Sequence, residues 1–212
     1  GRKSYYYYVV SPGVIQKRIG NIFYNLYNNY NFYSVKRGLA PQDKNKTMNK
    51  IKWLIAIIVL GGLLRFWGLG KNPPGLYWDE VSLGWNAYSV LKTGFDEHGR
   101  FLPIDTFFAF GDYKPPLYIY AVVPSIWVFG LNEFAVRFPS AIAGTLLVIV
   151  TYFLSKDLFA IGITDDKFKI KNLKLKIPLL ASLLVAISPW SVTLSRVGFE
   201  SNLAVLLNAL GF

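Results

Sequence analysis

The apolar stretch from Phe134 to Leu158 is 25 residues long, more than the ~20 needed to cross a bilayer core. It does not stand alone, because Ile51–Leu69, Pro115–Gly130, Ile177–Leu194 and Leu203–Phe212 are also strongly apolar. The whole chain is 53% hydrophobic and 17% charged, which is too apolar for an ordinary soluble domain. The expected fold class is all-α and membrane-integral. A formal net charge of +11 would suit nucleic acid on a soluble fold, but these runs leave no such fold to carry a basic face, so no nucleic-acid partner is expected. Cys is absent, which excludes disulfides, Cys-liganded metals and thiol catalysis.

The basic charge is concentrated at the start. Residues 1–47 hold eight Lys or Arg and one acid, Asp43, with eight of the 14 Tyr and six Asn. No helical or alternating period runs through them, so they read as low complexity. Two explanations stay open: a disordered basic cytoplasmic arm, or translated upstream sequence ahead of a start at Met48, the only Met. Residues 48–212 then form the membrane domain. Its first span is about 51–69, preceded by Lys50 and Lys52; no small-residue cleavage site precedes Lys71–Pro74, so it reads as a retained anchor. Arg65, near its far end, is expected to snorkel to the interface.

Counting every apolar stretch as a span would put Lys167, Lys169, Lys171, Lys174 and Lys176 on the side opposite Lys50, against the positive-inside rule. The weak member is 115–130, with Pro115 and Pro116 at its start and Pro124 in its middle, which fits an interfacial or re-entrant helix. Spans at about 51–69, 134–158 and 177–194, followed by 203–212 as an interrupted helix, restore the rule. Residues from about Gly70 to Glu133 and from Ser195 to Asn202 are then outside.

The outer segments hold the residues suited to chemistry. Asp79-Glu80 opens a stretch to Leu91 with Val81, Trp85, Tyr88 and Leu91 at helical spacing, an amphipathic interfacial helix. Asp79 is either its N-cap or a carboxylate at the membrane surface able to take a proton from a hydroxyl. Lys114, Arg137 and Arg196 are three outer cations that suit an anionic headgroup or a phosphate leaving group, or else anchor loops at the interface. His98, the only His, lies among acids in Asp96-Glu97-His98-Gly99 and reads as a solvated loop residue.

Taken in order, Trp78-Asp79-Glu80, Asp96-Glu97-His98-Gly99, Gly111-Asp112-Tyr113-Lys114-Pro115-Pro116-Leu117, Asn132-Glu133-Phe134-Ala135-Val136-Arg137-Phe138-Pro139-Ser140, Ile187-Ser188-Pro189-Trp190 and Ser195-Arg196-Val197-Gly198-Phe199-Glu200 resemble the polyprenyl-phosphate-sugar-dependent integral membrane glycosyltransferases. These are the C-type fold enzymes of the protein O-mannosyltransferase and lipid A aminoarabinose transferase kind. The resemblance covers Met48 to Phe212 and leaves out residues 1–47. It implies the N-terminal part of that fold, with interfacial helices in the first outer loop. It further implies inverting transfer of a sugar from a polyprenyl phosphate carrier to the hydroxyl of a lipid, glycan or protein acceptor, at the outer face of a multi-pass protein in a bacterial or archaeal cell membrane.

Asp79 matches the family's catalytic carboxylate, with Glu80 as a supporting acid. Glu200 falls where relatives often carry Asp in the second outer loop, and the metal question stays open: no cofactor is certain and a divalent metal is possible. Relatives are longer, so this chain is expected to hold the donor half-site and to be inactive alone. Two rivals remain: a non-catalytic multispanning protein such as a transporter part or assembly subunit, and a metal-dependent oligosaccharide transferase of related fold.

Overall fold

The computed structural model describes residues 44–161 and 176–211. The basic arm before Lys44 and the lysines at 167, 169, 171 and 174 lie outside the described residues. The rest is mostly helical, as the apolar runs require: α1 (Lys44–Phe66), α2 (Trp78–Thr93), α3 (Pro116–Phe129), α4 (Glu133–Ile161), α5 (Ile177–Ile187), α6 (Pro189–Arg196) and α7 (Glu200–Gly211). Between α2 and α3 lies an antiparallel hairpin, β1 (Phe107–Ala109) with β2 (Asp112–Lys114), pairing Phe107 with Lys114 and Ala109 with Asp112.

α4 is the axis. Among the described residues it is the one unbroken helix long and apolar enough to cross a membrane, over Glu133–Phe159, and only 28% of its apolar window is buried. A helix inside a soluble core would be mostly covered. Pro139 lies within α4 and has no N–H for the carbonyl of Ala135 one turn earlier. Ser125 of α3 supplies the missing donor, with its Oγ 2.6 Å from Ala135 O. Tyr118 of α3 donates similarly to Val136 O at 2.8 Å. α3 therefore packs against the weakened first turns of α4, and Leu83, Ala87, Val90, Tyr118, Ile119, Val122, Ala135 and Val136 close a core among α2, α3 and α4. At 14 residues α3 falls short of the ~20 a bilayer core needs.

Three expectations are modified. The first span was read to Leu69, but α1 ends at Phe66 and the chain turns through Gly68, whose φ is +65°. The span read as 177–194 is two helices, α5 and α6, bent by 53°. The break falls at Pro189, the first residue of α6, where Ser188 accepts from Ser191 N at 3.4 Å as a cap. Arg65 does not snorkel. It is fully buried, because the break leaves the carbonyls of Val185 and Ala186 without helical donors and Arg65 supplies them, at 3.1 Å each. Its other donors reach Gly61 O, Ser191 Oγ and Ser195 Oγ. Gly144 of α4 makes room for this joint, since a Cβ there would lie 2.0 Å from Ser195 Oγ.

From Ile55 onward the outward face of α1 is apolar, with Ile55, Val59 and Leu63 exposed, while Ile57, Gly61 and Arg65 face inward one turn apart. On α2 the buried face is Leu83, Ala87 and Val90. Val81 and Trp85, from the periodic stripe seen in the sequence, point outward.

Candidate functional site at the helix ends

The end of α1, the start of α4 and the end of α6 meet at one place, fastened by a buried ion pair. Glu80 and Arg137 are both fully buried. Arg137 Nε lies 2.8 Å from Glu80 Oε1 and Nη2 3.0 Å from Oε2. Its remaining donors go to Leu69 O at 3.2 Å, Pro73 O at 2.8 Å and Gly75 O. All five N–H groups are thus engaged. Glu80 also accepts from Tyr77 N at 2.9 Å and from Gly198 N at 2.7 Å, so each of its oxygens holds two donors. Arg137, expected among the cations for a phosphate, thus binds the 69–75 loop, and with Glu80 fixes that loop, α2, α4 and the 197–198 connection to one another.

The neighbouring side chain points elsewhere. Tyr77 occupies the N-cap position of α2, so Asp79 is not the cap but the second residue of the helix. Its Oδ1 is 2.9 Å from Lys114 Nζ at the end of β2, and its side chain is 28% exposed against 10% for Lys114. Its Oδ2 has no hydrogen-bond partner among the described residues. Lys114 Nζ also lies 2.9 Å from Asp112 Oδ2. Two residues apart on one strand, Asp112 and Lys114 share a face. Lys114 is held above its ordinary pKa, first by its hydrogen bond to Asp79 and then by that to Asp112. The carboxyl of Asp112 is held low by Lys114 and by the Tyr113 N–H.

The hairpin that delivers Lys114 turns in two residues, Phe110 and Gly111, with φ of +53° and +78°. Two positive φ values match the strand twist of a tight hairpin, but Phe rarely adopts one. The Phe110 ring stacks on Trp78, centroids 5.7 Å apart and planes 17° from parallel, which ties the hairpin over the first turn of α2.

The other residues singled out in the sequence make contacts of their own. Arg196 reaches the carbonyls of Leu64 at 2.9 Å and Asn72 at 3.0 Å, closing the C-terminal end of α1. Glu200 starts α7 and makes no salt bridge among the described residues. His98 is half-exposed and meets Phe108 O at 2.9 Å. No group of three or more His, Cys, Asp or Glu placed to share a metal ion occurs among the described residues. Sequence reasoning did not single out Asp112 as a site residue, although the two-residue spacing to Lys114 in a strand was the available signal. It also did not pair Glu80 with Arg137, which are 57 positions apart.

The described residues are mostly helical, with one helix long and apolar enough to cross a membrane and a carboxylate–ammonium pair at the helix ends. Residues 53–209 match the model of the family described as dolichyl-phosphate-mannose-protein mannosyltransferase, and the chain belongs to that family. Its members are integral membrane proteins, and its chemistry is glycosyl transfer from a lipid-linked sugar. No curated protein and no solved structure matches the chain.

Proposed function

We propose that this chain carries the donor side of an inverting glycosyl transfer at the outer face of a membrane, with Asp79 as the base and Lys114 as the cation for the leaving phosphate. The single observation that carries the reading is the meeting of Asp79 and Lys114 at 2.9 Å, on elements separated in sequence, at a partly open edge above a rigid buried pair. In the step, an acceptor hydroxyl oxygen attacks the anomeric carbon of the sugar. The bond from that carbon to the phosphate oxygen breaks, its electron pair leaves with the phosphate, and the hydroxyl proton goes to Asp79. The ammonium of Lys114 stabilises the charge that develops on the leaving oxygen. Glu80 and Arg137 act as positioning residues that hold the first turn of α2. Arg196 closes α1, and Glu200 remains a second-loop carboxylate available to an acceptor.

The multi-pass membrane placement is part of the same proposal. It is supported by the apolar outward faces of α1 and α4 and by the six Trp, each at least half exposed, as interfacial and lipid-facing Trp are. The test is sugar transfer from a polyprenyl-phosphate donor in membranes containing the protein expressed from its gene. Asp79→Asn keeps the side chain's shape and is expected to lower transfer by a factor of about 10² to 10⁴ with protein level unchanged. Undiminished transfer would remove Asp79 as the base.

A further inference from the structure

Lys114 cannot hold a phosphate with the partners it has. Its ammonium lies 2.9 Å from Asp79 Oδ1 and 2.9 Å from Asp112 Oδ2, so one positive charge sits between two negative ones. The cluster is net negative and repels a further anion. For a phosphate to reach Nζ, one carboxylate has to give way.

The two differ in what holds them. Asp79 follows from the helix position next to Glu80, whose carboxylate is locked by four donors. Asp112 is 67% exposed, sits directly after the two-residue turn, and apart from Lys114 is held by its neighbour's N–H, Tyr113 N at 2.8 Å. An exposed ion pair of this kind is weak and readily exchanged.

We propose that Asp112 is an intramolecular substitute for the phosphate of the donor: it occupies Lys114 until an anionic isoprenyl phosphate headgroup replaces it. It thereby sets how tightly, and how selectively by charge, the site takes the lipid. This inference rests on the reading of Lys114 as the phosphate-binding cation. Its consequence is a sign: removing the charge of Asp112 tightens binding of the anionic lipid. A residue that merely braced Lys114 would do the opposite.

The test is equilibrium binding of radiolabelled probes to the purified full chain in nanodiscs. The probes are a short isoprenyl monophosphate, the matching uncharged isoprenol, and inorganic phosphate. Asp112→Asn is expected to tighten the monophosphate by at least about threefold and to leave isoprenol unchanged. Asp112→Ser should repeat the effect and Asp112→Glu should not, because charge and not shape is the cause. Unchanged or weaker monophosphate binding in D112N overturns the proposal. Equal tightening of inorganic phosphate overturns its lipid part and assigns the site to free phosphate. Lys114→Met separates the two levels. If it leaves monophosphate binding intact, the underlying reading of Lys114 fails; if it weakens binding while D112N does not tighten it, only the role given to Asp112 fails.

Discussion

Arg137 shows how far a residue's use depends on its neighbours. A lone arginine near an outer surface suits a phosphate, yet here its guanidinium is closed on all sides by Glu80 and three backbone carbonyls. Arg137→Met would leave Glu80 buried without its counter-charge, and is expected to lower stability by roughly 3–5 kcal/mol. Thermal unfolding in detergent reads this, and the double variant with Glu80→Gln should recover part of the loss. An unchanged midpoint with weaker donor binding would return Arg137 to the phosphate. Asp79 is the opposite case, chemically apt and partly exposed, with the buried Lys114 beside it.

The pH behaviour of this cluster follows from the same contacts. Lys114 is shifted up, so its ion-pair contribution is complete below its ordinary pKa and is lost as pH rises past the raised value. Asp112 is shifted down, so its contribution is lost only as pH falls through the depressed value. Their contact is therefore expected to persist from about pH 4 to about pH 10. Nitrogen-edited NMR of the Lys114 ammonium should show no titration step in that window.

Among the elements, the joint between α5 and α6 is the least regular and the most dependent on a distant side chain. Pro189 breaks the ladder and Arg65, from α1, repairs it. Arg65→Met would orphan two buried carbonyls at about 1–3 kcal/mol each, again visible as a lower unfolding midpoint. Pro189→Ala restores an N–H at the break, so the two changes should be non-additive, with the double variant less damaged than the sum. Gly144→Ala tests the fit of the same joint. Its Cβ would meet Ser195 Oγ, Ser195 Cβ and Arg65 Nε within 2.9 Å, and a loss of about 1–3 kcal/mol is expected. The hairpin stands apart, because three-residue strands closed by Phe110-Gly111 give little sequence signal. The pairing of the strands, the Trp78–Phe110 stack, the burial of Phe107 and the Lys114–Asp79 contact specify it.

For the molecule as a whole, the proposed topology is open to a direct experiment, since the chain has no native Cys. Single Cys introduced at His98 and at Lys171 should react with an impermeant reagent from opposite sides, with His98 labelled from outside. Equal labelling of both from outside would overturn the orientation. Family membership was legible in the sequence because it lies in an ordered series of short motifs spread over most of the chain. The same series named Asp79 and Glu80, and charge type put Lys114, Arg137 and Arg196 beside them. Type alone did not tell which partners each cation would take.

The amino-acid sequence by itself determined that the chain is helical and apolar, where its polar segments fall between the apolar runs, and to which family it belongs. These follow from run length, charge placement and motif order, which are local or additive properties. The tertiary structure decided the division of labour among the charged residues. Arg65 and Arg137 were drawn inward because proline breaks, loop carbonyls and a buried carboxylate needed donors, and Lys114 was brought onto Asp79 by the packing of the hairpin over α2. Such pairings join positions far apart in the chain or hang on a two-residue turn. They are selected by the desolvation cost of leaving a buried polar group without a partner, and that cost exists only once the chain has packed.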